Sequence, residues 1–191
     1  MSAGHTHDHD HDHAVFDGSD PGYRRVLWAV IAANATMFAV ELSAGALAGS
    51  QALKADALDF LGDAMTYGLS LAAIGWPLAM RSRVALVKGA SLLAMGLWVF
   101  GSTLWQLLGP GLPRAEVMGL VGLMALATNL GAVLLLMRYR EGDANVRSVW
   151  LCSRNDAIGN VAVIAAAGAV ALTGTPWPDL LVAAMMSGLF I

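Results

Sequence analysis

The sequence has little charge and a single cysteine. Only 13% of its 191 residues are charged, whereas 57% are apolar. Such a composition is rare in soluble domains and typical of chains that cross a membrane several times. The lone cysteine, Cys152, excludes an intramolecular disulfide. The sequence also lacks a nucleophile–base pairing and a phosphate-binding loop, so we expect neither an enzyme nor a nucleic-acid-binding protein.

Long apolar segments dominate the chain. Five of them reach the ~20 residues that cross a hydrocarbon core, and a sixth is apparently truncated. The N-terminus has no apolar core and is therefore no secretory signal. We predict an all-α membrane protein: a disordered His/Asp-rich tail (1–22), a bundle of six transmembrane helices (23–191) and no C-terminal cytoplasmic domain. The predicted spans are 26–47, 54–78, 86–108, 116–137, 148–172 and 179–191.

The basic residues predict the orientation of the bundle. If six helices alternate, most basic side chains fall on one side, and the opposite side has Arg114 and Lys54. The positive-inside rule then places the N-terminus in the cytoplasm, and with six spans the C-terminus also. The residues on the cytoplasmic side are Arg24, Arg25, Arg81, Arg83, Lys88, Arg138, Arg140 and Arg147.

Three acids interrupt the second apolar segment. Asp56, Asp59 and Asp63 fall within an arc of roughly 60° on a helix. Carboxylates near the bilayer centre are costly and usually serve an ion or proton pathway. This stripe therefore indicates a cation site and transport.

The fifth segment carries a second pair with the same spacing. Asp59 and Asp63 are four residues apart, as are Cys152 and Asp156. Two such pairs on facing helices can close a tetrahedral site, and three carboxylates with a thiolate suit zinc or a neighbouring transition metal. Two alternatives stay open: the acids pair with basic residues for packing, or Cys152 is only a small buried residue.

The same residues carry a family resemblance. The run SQALKADALDFLGD (50–63) resembles the second-helix signature of the cation diffusion facilitator family, which ends in His or Asp, three residues, then Asp. The run NVRSVWLCSRNDAIGNVAV (145–163) resembles its fifth helix, where His-x-x-x-Asp is usual, and WPD (177–179) is similar to the start of its sixth. Cys152 departs from the pattern because it replaces the expected histidine. The likeness covers about residues 23–191.

The resemblance implies efflux of divalent metal from the cytoplasm by alternating access, in exchange for protons. It implies Asp59, Asp63, Cys152 and Asp156 as ligands and a homodimer in the lipid bilayer; we expect the bacterial inner membrane. The ligand types favour zinc as the transported metal, but cobalt, nickel, cadmium, iron and manganese remain candidates. No further cofactor is expected. Candidate pathway or hydrogen-bonding residues are Asn34, Glu41, Asp56, Asn129, Asn155 and Asn160. Arg154 either reaches the membrane surface or pairs with Glu41.

Two rival functions remain from the sequence alone. A membrane metal sensor or buffer would bind ions without moving them, and the missing cytoplasmic domain and the substituted histidine fit it. A proton-coupled transporter of a non-metal cargo would use the same carboxylates but would need neither Cys152 nor a metal-binding tail.

All five histidines lie in the N-terminal tail and alternate with small or acidic residues. A disordered segment in which His and Asp alternate can chelate zinc, nickel, cobalt or copper. The alternative is a solvated tail that has no function. We interpret the tail as an auxiliary device that captures metal. Its histidines are His5, His7, His9, His11 and His13.

Deletion of residues 5–13 is expected to weaken the apparent metal affinity and leave transport intact, because the tail only raises the local ion concentration. Metal-dependent flux in vesicles, measured over a range of metal concentrations, checks this. Complete loss of transport on deletion would contradict it.

Overall fold

The computed structural model describes residues 20–72, 77–109, 111–140 and 144–191. Over these ranges the regular structure is helical and no strand occurs, which confirms the all-α prediction. A short 3₁₀ turn, Met137–Tyr139, follows the fourth helix. The six helices are α1 (Pro21–Ala48), α2 (Gln51–Ala72), α3 (Leu78–Gln106), α4 (Ala115–Leu136), α5 (Ala144–Thr173) and α6 (Trp177–Gly188).

The largest difference from the sequence prediction lies between α2 and α3. The predicted second span ran to residue 78, and the described part of α2 is Gln51–Ala72; α3 begins eight residues earlier than predicted, just after Pro77. Proline cannot continue a preceding helix but readily precedes a new one. Residues 79–85, which lie between two predicted spans, are therefore helical, and Lys88 lies ten residues after the start of α3 instead of near its start.

Local capping defines both ends of α1. The Asp20 carboxylate accepts hydrogen bonds from the backbone N–H groups of Gly22 and Tyr23, at 3.1 and 3.2 Å. At the other end Gly49 adopts a left-handed conformation with φ 73°, which glycine tolerates best. Ser50 follows at once, and its Oγ accepts the N–H of Leu53, which starts α2. Because so few residues join them, α1 and α2 run antiparallel.

The helix that carries the acid stripe is the central one. α2 contacts every other helix, and its first ten residues are buried except for Lys54 and Asp59, which are partly buried. α3, in contrast, packs mainly on α2 and α6 and exposes large apolar side chains, including Trp98 and Trp105. The bundle thus presents apolar side chains outward and buries its charged helix.

Four helical segments of the described chain are long and apolar enough to cross a membrane: Pro21–Ala48, Ser82–Gln106, Ala115–Tyr139 and Val149–Thr173. α2 is not among them, and four charged side chains reduce its hydropathy: Lys54, Asp56, Asp59 and Asp63. α6 has only 12 residues.

A buried carboxylate joins α6 to α2. Asp179, fully buried near the start of α6, accepts the Ser50 hydroxyl at 2.6 Å and the backbone N–H groups of Gln51 and Ala52 at 2.9 and 3.1 Å. The first N–H groups of a helix have no partner within the helix and attract negative charge. Asp179 therefore caps α2 from another helix.

Asp179→Ala is expected to lower the free energy of unfolding by about 2–3 kcal/mol, since it strands three buried donors. Unfolding by a denaturing detergent, followed by circular dichroism, measures this. Glu116→Ala is the matched control, because Glu116 also lies in the first turn of a helix but is exposed. Equal stability of the two variants would contradict the capping role.

Candidate metal and proton site

The acid stripe of α2 faces the interior of the bundle. Asp56 is fully buried, Asp63 is 8% exposed and Asp59 is partly buried. A helical period of 3.6 residues places all three on one side of α2, and that side is directed towards α5. The predicted carboxylates therefore lie inside the protein and away from lipid.

Asp63 meets the predicted ligand pair of α5. Its carboxyl group lies within hydrogen-bonding range of the carboxyl of Asp156. The thiol of Cys152 is partly buried beside them and interacts electrostatically with both acids. Two carboxylates in contact in a dry interior repel each other unless a cation or a proton lies between them. The pairs predicted on α2 and α5 thus meet at Asp63, Cys152 and Asp156.

Tyr67 extends the stripe by one further turn. It lies four residues after Asp63, is 1% exposed, and its hydroxyl donates to Asp63 Oδ2. The same hydroxyl lies 3.3 Å from the carbonyl oxygen of Val149 on α5. Tyr67 therefore orients Asp63 and also fastens it to α5. The sequence analysis missed this residue, although its spacing of four from Asp63 was a usable signal.

Gly159 provides the close approach of α5 to the remaining acids. A Cβ atom at Gly159 would lie 3.9 Å from Asp59 Oδ2 and 4.0 Å from Asp56 Oδ1. Asp59 is thus placed between the Asp63–Asp156 contact and Asp56, on the surface that faces α5. Nothing in the sequence alone distinguished this glycine from the chain's other helical glycines.

The four predicted ligands do not form a closed metal cage. Within residues 20–72, 77–109, 111–140 and 144–191, no three His, Cys, Asp or Glu side chains have the spacing needed to hold an ion together. The contacts present are pairwise, as between Asp63 and Asp156. Coordination by all four ligands therefore requires side-chain rotation or a shift of α5 against α2.

One basic side chain approaches the site from α3. Lys88 Nζ donates to Thr66 Oγ1 on α2, and its charge acts on Asp63 and Cys152. The sequence analysis assigned Lys88 to the cytoplasmic side and did not connect it with the candidate ligands. Its position inside α3 offsets part of the negative charge near the candidate ligands.

A second polar cluster surrounds Asp56, about two helical turns before Asp63 on α2. We call the clusters around Asp63 and Asp56 the two polar levels of the bundle. Asn160 Nδ2 donates to Asp56 Oδ2 at 2.9 Å, and Asn129 Nδ2 donates to Asn160 Oδ1 at 3.0 Å. The carboxyl of Glu41, on α1, lies within hydrogen-bonding range of that of Asp56. Four helices thus contribute to one buried network: α1, α2, α4 and α5.

The register of α1 against α2 separates the two levels. Glu41 lies beside Asp56, and Met37 packs with Phe60. In antiparallel helices the same register places Asn34 level with Asp63, about 10 Å from Glu41. Asn34 is 1% exposed, and neither of its side-chain polar atoms has a hydrogen-bond partner in the described structure.

The other predicted residues lie elsewhere. Asn155 is exposed and its Oδ1 lies 3.4 Å from Arg154 Nη2, so it is outside both polar levels. The Arg154 guanidinium stacks over the ring of Trp150, and Glu41 instead faces Asp56; the suggested pairing of Arg154 with Glu41 is wrong. The tail histidines lie outside the described residues: His5, His7, His9, His11 and His13.

Comparison with known proteins identifies a family. Residues 27–191 match the model of the cation efflux transmembrane domain. The chain is 26% identical, over an alignment 205 positions long, to the metal cation efflux system protein CzcD of Cupriavidus metallidurans. It is equally similar to the cation efflux system protein CzcD of an Alcaligenes species. The alignments cover all of this chain and 61% of each relative, so the chain spans about three fifths of their length. Because the domain match covers most of the sequence, the chain belongs to the cation efflux family and is an integral, multi-pass membrane protein.

Proposed function

We propose that this protein exports divalent transition-metal cations from the cytoplasm in exchange for protons. The observation that carries the proposal is the contact between Asp63 of α2 and Asp156 of α5, with Cys152 beside them inside the bundle. Idle carboxylates are rare in membranes, and acids shared between two helices suit an ion that both helices bind. The names of the two relatives, a metal cation efflux protein and a cation efflux protein, support a cation as the cargo.

The ligands of the proposed site are Asp59, Asp63, Cys152 and Asp156. Metal binds to carboxylates and thiolates only when these have lost their protons, so metal and protons compete for the site. Proton entry on one side then releases metal, and the inward proton gradient and the membrane potential supply the driving force. Three oxygens and one sulfur favour zinc over calcium or magnesium.

The proposed topology has six crossings with both termini in the cytoplasm. It adds α2 and α6 to the four apolar spans. α2 can cross despite its charges because the other helices surround it, and intramembrane acids characteristically face a bundle interior. We assign residues 1–22 to a cytoplasmic metal-capturing tail and residues 23–191 to the transport domain of a homodimer in the bacterial inner membrane.

Zinc uptake into proteoliposomes driven by a pH gradient tests the function. Asp63→Ala and Asp156→Ala are each expected to reduce the initial rate by about a hundredfold or more, because each removes a ligand and leaves the other acid unpaired. Asp59→Ala is expected to do the same, and Glu116→Ala, at an exposed acid of α4, should match the wild type.

The same assay separates the rival functions. Tight zinc binding by the wild type without flux of zinc, cobalt or manganese would indicate a sensor or buffer. Proton flux that does not depend on any metal would indicate a different cargo. Wild-type rates in both Asp63→Ala and Asp156→Ala would refute the ligand assignment.

Cys152 is tested by replacement with serine and with histidine. Cys152→Ser is expected to weaken zinc affinity by about tenfold or more, because a hydroxyl is a poor zinc ligand, whereas Cys152→His should preserve it. Zinc titration of the purified protein at several pH values measures the change, and affinity in all three proteins should fall as the pH falls. Unchanged affinity in Cys152→Ser would show that the thiol only fills space.

A further inference from the structure

Glu41 and Asp56 form a buried acid pair apart from the proposed metal ligands. Both are fully buried, and their carboxyl groups lie within hydrogen-bonding range of each other. In the described structure no donor reaches either oxygen of Glu41 or Oδ1 of Asp56. Burying three carboxyl oxygens without a donor costs free energy, so the two carboxyl groups are stable together only when a cation or a proton lies between them.

The chemistry of the surroundings selects between a metal ion and a proton. Asp56 Oδ2 already accepts the N–H of Asn160, and the carbonyl oxygen of Asn160 already accepts the N–H of Asn129. The amide network therefore directs an N–H donor towards the pair, and the Asn160 oxygen, which could otherwise bind a metal, already accepts a hydrogen bond. One proton between Glu41 and Asp56 Oδ1 gives the pair a hydrogen bond without any further ligand, as in other carboxyl dyads.

The pair is also placed to respond to the ligand site. Asp56 Oδ1 and Asp59 Oδ2 flank the same point at Gly159, at 4.0 and 3.9 Å from the position of its missing Cβ. The titratable groups that interact electrostatically with the pair are acids: the charge of Asp59 acts on Glu41, and the charge of Asp56 acts on Asp59 and on Asp156 of α5. A cation bound at Asp59 thus changes the charge that the Glu41–Asp56 pair experiences.

We propose that Glu41 and Asp56, supported by Asn160 and Asn129, form a proton-binding site that is distinct from the metal ligands and couples zinc movement to proton movement. This proposal rests on the proposed transport function and assigns the proton to particular residues. A carboxyl group that exchanges its proton in each transport cycle should fail when it is replaced by a group that cannot release a proton. A carboxyl group that only stabilises the fold should tolerate the same replacement.

Glu41→Gln separates these two roles. The glutamine side chain keeps the size of glutamate and donates to Asp56 permanently, so it imitates the protonated state but cannot release a proton. We expect pH-gradient-driven zinc uptake to fall by about a hundredfold. Zinc–zinc exchange at equal pH on both sides, and zinc binding in detergent, should stay within about threefold of the wild type.

Two variants complete the design. Glu116→Gln makes the same chemical change at an exposed position of α4 and should behave as the wild type in all three assays. Asp56→Asn removes the other acid and should reproduce the selective loss, which covers the case in which Glu41→Gln fails to fold. Gradient-driven uptake at the wild-type rate in a folded Glu41→Gln would overturn the proposal, as would loss of zinc binding together with uptake.

Infrared spectroscopy provides a readout that does not depend on transport. The infrared spectrum of the wild type should contain the carbonyl stretch of a buried, protonated carboxylic acid. This band should be missing from the spectra of Glu41→Gln and Asp56→Asn. If the wild type moves no metal but this band is present, the transport function is wrong and the proton site stands. If neither variant changes the carboxylic acid bands, the acid pair holds no proton and the inference is wrong.

Discussion

The cost of charge in lipid determines how this bundle is arranged. α2 carries four charged side chains, and a helix of this kind cannot face hydrocarbon along its length. Placing it against α1, α3, α5 and α6 removes the acids from lipid and brings them to the polar side chains of its neighbours. The more apolar helices then form the outside. The position of the candidate site is thus a direct consequence of the sequence that makes α2 difficult to insert.

Burial of the acids creates two polar levels with different chemistry. One combines Asp63, Asp156 and the Cys152 thiol, and therefore contains a soft ligand beside hard ones. The other combines two carboxyl groups with the amides of Asn160 and Asn129, which already bond to each other. Helical spacing alone produces this division, because residues seven apart on α1 and on α2 repeat the same face two turns away. One interior therefore contains two polar clusters with different sets of polar groups.

The sequence predicted those features that depend on one helix at a time. The six helices, the stripe of Asp56, Asp59 and Asp63, and the paired spacing on α5 all follow from periodicity and composition. The boundary before α3 was wrong because basic residues at 81–88 suggested a loop, although long side chains of this kind can lie on a helix that extends past the hydrocarbon core. Gly159 and Asp179 gain their roles only from contacts with other helices, and no local pattern reports such contacts.

The link between Asp179 and the start of α2 has a mechanical consequence. Three hydrogen bonds from Ser50, Gln51 and Ala52 converge on this one buried side chain. The first turns of α2 and α6 therefore form one rigid unit, because separating them would leave all three donors without partners in a dry interior. Any displacement of α2 relative to α5 that opens the interior must carry the beginning of α6 with it. A motion that keeps the first turns of α2 and α6 together preserves all three hydrogen bonds to Asp179, whereas a motion that separates them breaks all three.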